Sequence, residues 1–257
     1  MRVVTSLRAW RETRRHLAAG SRTLGVVPTM GALHAGHLSL VRRSLAENDV
    51  TLVTIFVNPT QFDDPDDLAR YPRPLDRDLA TLDAEGVAFV LLPAETELYP
   101  DGYRYRVVET GVSGVLEGAH RPGHFDGVLT VVLKLLQLAG ADRAYFGEKD
   151  WQQLGLIRGM AEAFFLPTAI VACPTIREAD GLAVSSRNQR LDPDARARAG
   201  ELYRTLVEAP NPAAALTTLR ARGFGVDYIE ERDGRRLAAV RLGDVRLIDN
   251  VPCEERR

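Results

Sequence analysis

Val26-Val27-Pro28-Thr29-Met30-Gly31-Ala32-Leu33-His34-Ala35-Gly36-His37-Leu38-Ser39-Leu40 is the stretch on which the reading of the chain turns. Thr23 to Val27 has the composition of a short buried strand, and Leu38, Leu40, Val41 and Leu45 form the apolar stripe of a helix behind it. Between them lies a turn with two glycines and two histidines. Glycine lets backbone N–H groups approach a ligand, and a helix N-terminus adds unpaired donors and partial positive charge. A spacing of three puts His34 and His37 on one helical face. The expectation is a phosphate site furnished with two imidazoles. Zinc is the competing use of such a pair, but it wants further ligands, and His16, His120, His124, Cys173 and Cys253 are all distant in sequence.

Outward from that turn, strands and helices alternate. Val50 to Val57 is a near-continuous β-branched run, as expected of a strand buried on both faces of a parallel sheet. Asp76 to Glu85 reads as a helix stopped by Gly86, and Val87 to Leu92, Arg143 to Phe146 and Thr168 to Ala172 read as further strands. This pattern predicts an α/β fold. Ligands of open α/β sheets bind outside the carboxyl ends of the strands, which places Asn58 and Gln61 beside the histidine turn. A capping role would also account for both. The glycine-rich stretch from Leu116 to Val128 reads as an irregular loop before an apolar helix, Val128 to Leu138. Its Arg121 and His124 suit ligand groups, loop ties or a subunit interface equally well.

Gly147-Glu148-Lys149-Asp150 again runs from a strand through a turn into a helix, with Gln153 one turn further on the same side. Of 33 basic residues only Lys134 and Lys149 are lysine, so each marks a place where a compact ammonium is kept in an arginine-rich chain. Pro174 to Asn188 is a polar connection in which Ser185, Ser186 and Arg187 suit a triphosphate clamp. No Gly-x-Ser-x-Gly elbow or Walker lysine motif occurs in it. Beyond Asp192, helical stretches at about 192–207 and 212–222 precede three alternating segments joined by Asp233-Gly234 and Gly243-Asp244. The domains expected are 1–175 and a smaller α+β domain, 176–257.

A net charge of −2 gives no global pull toward nucleic acid or a membrane, and 45% hydrophobic residues suffice for a large core. Two cysteines make no disulfide framework, arginines interrupt the first twenty residues, and no run of eighteen apolar residues exists. A soluble cytoplasmic protein is expected.

The His34-Ala35-Gly36-His37 turn resembles the HxGH signature of the nucleotidyltransferase superfamily, which includes class I aminoacyl-tRNA synthetases. In its full form the stretch is similar to the pantothenate synthetase (pantoate–β-alanine ligase) family. The resemblance extends through Arg70-Tyr71-Pro72-Arg73, Gly147 to Asp150, Ser185 to Arg187 and the closing Arg246-Leu247-Ile248-Asp249-Asn250. It implies a Rossmann-like parallel-sheet domain with a smaller C-terminal α+β lid domain, in a homodimer. It further implies that ATP, (R)-pantoate and β-alanine give pantothenate, AMP and pyrophosphate through a pantoyl adenylate, with Mg²⁺ on the phosphates and no protein ligand assigned to the metal. Carried over motif by motif, Met30, Gly31, Ala32, Leu33, His34, Ala35, Gly36 and His37 would bind ATP. So would Gly147, Glu148, Lys149, Asp150, Ile176, Val184, Ser185, Ser186 and Arg187. Gln61, Gln153 and Asn58 would face the substrate, and His37, His34, Lys149 and Arg187 would act on the transferring phosphate. The family usually has Met at position 60, where this chain has Thr60, and Leu or Met at Val184; its C-terminal part usually looks longer. The alternatives are another nucleotidyltransferase of the superfamily, or an ATP-binding module without turnover.

Overall fold

The computed structural model describes residues 1–253. It contains two compact units, the first made of Met1–Gly147 and Gln152–Cys173, the second of Glu148–Trp151 and the described residues from Pro174 onward.

The first unit is built on six strands: β1 (Arg2–Val4), β2 (Leu24–Thr29), β3 (Val50–Ile55), β4 (Phe89–Leu91), β5 (Arg143–Gly147) and β6 (Ala169–Cys173). All pairings are parallel, in the order β1-β4-β3-β2-β5-β6. Val26, Val27, Leu52 and Val53 have no solvent exposure, because helices cover both faces of the sheet. The chain steps from β2 through β3 to β4 on one side, then returns to place β5 on the other side of β2. That reversal makes the carboxyl ends of β2 and β5 a topological switch point, the place where open α/β sheets bind ligands, and the histidine turn leaves β2 there. Among the described residues no helix is long and apolar enough to cross a membrane.

Two elements differ from the sequence expectation. The helix expected from Val128 spans His124–Ala139, with Gly123 at φ +79° before it. Its Gly127, which reads as a loop signal, lies inside the helix because a Cβ there would sit 2.3 Å from the Thr60 carbonyl oxygen. The helical stretch at 192–207 is two helices, Pro193–Ala199 and Glu201–Glu208, meeting at Gly200. A Cβ on Gly200 would lie 2.6 Å from the Asp180 carbonyl oxygen, so the glycine lets that loop close in.

The second unit carries the antiparallel strands β7 (Gly225–Arg232), β8 (Arg235–Leu242) and β9 (Val245–Pro252). Asp233 and Gly234 both have positive φ, 51° and 69°, as a two-residue hairpin with right-handed strand twist requires. Leu202, Leu206, Leu219, Phe224, Val240 and Leu247 form its core.

Candidate active site

At the end of β2 the Thr29 hydroxyl donates to the Thr54 carbonyl at 2.8 Å and accepts the Gly31 N–H at 3.1 Å. Gly31 then takes φ +78° and Ala32 φ +50°. A Cβ at Gly31 would lie 2.9 Å from Asp78 Oδ2, so the turn closes directly over that carboxylate. Asp78, on helix Leu75–Ala84 and 2% exposed, accepts the Ala32 N–H at 2.7 Å and the Leu33 N–H at 2.8 Å. These two donors are therefore spent inside the protein and not offered to a ligand.

His34 is the N-cap of helix Ala35–Glu47, with extended φ −139° and ψ 175°, so only His37 of the pair is helical. The imidazoles still meet, because the His34 ring lies across Gly36, where a Cβ would be 3.0 Å from its Cε1 and Nδ1. The two rings stack with centroids 4.0 Å apart and an interplanar angle of 28°. Gly36 is thus required for close approach rather than for its φ.

Asn58 and Gln61 flank the short 3₁₀ turn Pro59–Gln61 after β3. Asn58 is 1% exposed, and its amide donates to Gln61 Oε1 at 3.0 Å and to the Gly127 carbonyl at 3.2 Å. The Gln61 carbonyl accepts from His124 Nδ1 at 2.8 Å and from Arg121 at 3.4 Å, and Arg121 also pairs with Asp63 at 2.8 Å. Burial, with the neighbouring Arg121 charge, pushes His124 down to about 4, so its ring is neutral near pH 7. Arg121 has only donors, so His124 Nε2 accepts from it at 3.3 Å and Nδ1 carries the proton given to Gln61. Arg121 and His124 thus tie their loop to the 58–61 turn. Gln152 is buried and satisfied by Glu117, Val112 and Val115, whereas its neighbour Gln153 is half-buried. Gly147 closes β5, in register with Cys173.

In the second unit Glu148–Asp150 forms a single 3₁₀ turn held by the small sheet. Asn250 on β9 donates to the Glu148 and Lys149 carbonyls, each at 2.9 Å. Arg235 on β8 bonds Glu148 at 2.7 Å and Asn250 Oδ1 at 2.7 Å, and its guanidinium stacks 4.0 Å from the Trp151 ring. The Lys149 ammonium lies 3.9 Å from Asp150 Oδ1. Ile176 and Val184 sit on opposite arms of a small hairpin, joined by the Val184 N–H to the Ile176 carbonyl at 2.9 Å. Arg177 on that hairpin makes a two-pronged pair with Asp249, at 2.6 and 2.9 Å. Ser185 caps the 3₁₀ turn Ser186–Arg190 by accepting the Arg187 N–H at 3.3 Å, with Ser186 buried and Arg187 half-buried. Adjacent residues of β9, Asp249 and Asn250, therefore hold the hairpin before the serines and the lysine turn. Asp249 and Asn250 stood out in the sequence only as part of the closing Arg246–Asn250 motif and without a role, and Asp78 did not stand out at all, because their partners lie far along the chain. Among the described residues no group of three or more His, Cys, Asp or Glu is placed to hold a metal ion.

Comparison with known proteins bears on this geometry. The chain is 49% identical over 251 residues to the pantothenate synthetase of Bdellovibrio bacteriovorus, covering 98% of each. It is 50% identical over 250 residues to that of Legionella pneumophila strain Corby, covering 97% of this chain and 99% of the relative. The crystal structure of a Francisella tularensis pantoate-beta-alanine ligase, complexed with beta-gamma ATP and beta-alanine, superposes with a TM-score of 0.93 at 40% identity over 98% of this chain and 97% of the other. The pantothenate synthetase of Thermus thermophilus gives 0.89 at 41% identity, covering 98% and 99%. The chain thus spans 97–99% of these relatives' own length. The sequence profile described as pantoate-beta-alanine ligase matches residues 1–252, and the chain belongs to the pantoate–β-alanine ligase family.

Proposed function

We propose that this ligase makes pantothenate by adenylation: the carboxylate of (R)-pantoate attacks the α-phosphorus of ATP, pyrophosphate leaves, and the amine of β-alanine then displaces AMP from the pantoyl adenylate. The stacked His34–His37 pair beside the β2–β5 switch point is the observation that carries this reading. No protein nucleophile is needed, so the protein's share is positioning and stabilisation of charge on phosphate oxygens. His37, with His34 beside it, donates to the α-phosphate as charge grows there. Met30 to His37 and Gly147 in the first unit hold the nucleotide, and Gln61 and Gln153 take pantoate, Gln61 also bordering β-alanine; Asn58, expected to face substrate as well, is buried with its amide spent inside the protein and stands behind Gln61.

In the second unit, which serves as the lid, Glu148 to Asp150, Ile176 and Val184 to Arg187 complete the ATP contacts. Lys149 and Arg187 neutralise phosphate charge, and the Asn250 and Asp249 anchors support this by presetting the backbones that carry them. Mg²⁺ fits as a passenger of the triphosphate rather than of a protein cage, since Mg²⁺ usually keeps waters and phosphate ligands; bound there, it offsets phosphate charge. The working form in this reading is a cytoplasmic homodimer.

The products test this reading. With ATP, (R)-pantoate, β-alanine and Mg²⁺, AMP and pantothenate are expected in equal amounts, with CTP a poor substitute. Formation of ADP and orthophosphate would contradict adenylation, and a preference for CTP would favour the related nucleotidyltransferases.

A further inference from the structure

Lys134 is the other of the chain's two lysines, and the proposed adenylation makes no use of it. From helix His124–Ala139 its ammonium donates to the Leu98 carbonyl at 2.7 Å, lies 3.4 Å from Asp101 Oδ1, and sits 4.5 Å from the centroid of the Tyr99 ring. The Tyr99 hydroxyl donates to Asn58 Oδ1 at 2.8 Å. Burial pushes this phenol up to about 12, so it keeps its proton and remains a donor. The Thr60 hydroxyl donates to the same oxygen at 3.0 Å.

These contacts settle which way two amides face. The Gly127 carbonyl can only accept, so Asn58 must turn Nδ2 toward it, and Tyr99 and Thr60 saturate the oxygen left on the other side. The second hydrogen of Asn58 Nδ2 then meets Gln61, which must answer with its oxygen. Gln61 Nε2 is thereby turned away from Asn58. Its main chain is fixed by the His124 and Arg121 bonds to its carbonyl.

We propose that Tyr99 and Thr60, with Lys134 holding the Tyr99 ring, are positioning residues that fix the Gln61 amide with its Nε2 donors turned away from Asn58, so that it selects a substrate group bearing acceptor oxygens, a carboxylate or hydroxyl. The proposal rests on the reading of Gln61 as a pantoate-binding residue.

Steady-state kinetics with pantoate varied at saturating ATP and β-alanine separate the two claims. In the Tyr99→Phe/Thr60→Val double variant the pantoate KM is expected to rise about ten-fold, the scale of a lost hydrogen bond in a defined geometry. kcat should fall far less, and the ATP KM should not move. Lys134→Met should act in the same direction, more weakly. In Gln61→Glu one oxygen takes the Asn58 N–H and the other meets pantoate as an acceptor. Its kcat/KM for pantoate should therefore drop at neutral pH and recover relative to wild type as falling pH protonates the carboxylate. If Gln61→Ala weakens pantoate while the double variant stays within two-fold of wild type, the relay is wrong and the substrate assignment stands. If Gln61→Ala leaves the pantoate KM unchanged, the substrate assignment falls and takes the relay with it. Should thermal melting show the double variant unfolded, Tyr99→Phe, which removes one hydroxyl, and the Gln61→Glu pH profile decide. A profile parallel to wild type would overturn the proposal.

Discussion

His37→Ala is expected to lower the rate of adenylation by about 100- to 1,000-fold, the loss typical of removing one donor to developing charge. Its effect on ATP affinity should be small, because the donor matters most when charge moves onto the phosphate oxygens. The fold should tolerate the change: His37 lies in the first turn of helix Ala35–Glu47, and alanine favours helix. Single-turnover formation of the adenylate and ATP binding by calorimetry, measured on the same variant, read the two quantities separately. An equal loss in both would make His37 a ground-state binding group, and an unchanged rate in folded protein would remove it from the mechanism.

Asp78→Ala is expected to be nearly as damaging without touching a substrate. Its carboxylate accepts two N–H groups of the histidine turn, at 2.7 and 2.8 Å, beneath residues already in left-handed backbone. Hydrogen bonds to a charged group contribute about 1.5–3 kcal/mol each, so losing both should cost roughly 3 kcal/mol or more of stability. The loosened turn would also displace the two imidazoles, and a misplacement of about 1 Å costs about 100-fold in rate. Asp78→Asn keeps the shape but sets an amide donor against one of the two N–H groups. It should melt closer to wild type while still losing most activity. Wild-type turnover in a folded Asp78→Asn protein would show that the turn holds itself.

Much of this architecture was legible from local pattern. β2 and β3 are apolar runs buried on both faces, and their alternation with helices points to a parallel sheet whichever boundaries are drawn. β1 escaped because three residues carry no periodicity, and it is recognisable only as the parallel partner of β4. The histidine turn stood out, but its internal use of two N–H groups did not, because Asp78 lies 46 residues beyond Ala32. The same holds for Asn250, which reaches 102 and 101 residues back to Glu148 and Lys149. Gly127 misled for a related reason: glycine in a helix costs stability, and only the backbone packed against it explains its place. Sequence spacing reports what one element does alone, whereas the supports of a site come from other elements.

ATP–pyrophosphate exchange with β-alanine left out tests the adenylate mechanism most directly. If pantoate is activated before the amine arrives, labelled pyrophosphate should enter ATP when pantoate and Mg²⁺ are present, and should stop entering when pantoate is withheld. Absence of exchange in folded protein that still makes pantothenate with all three substrates would contradict the adenylate intermediate.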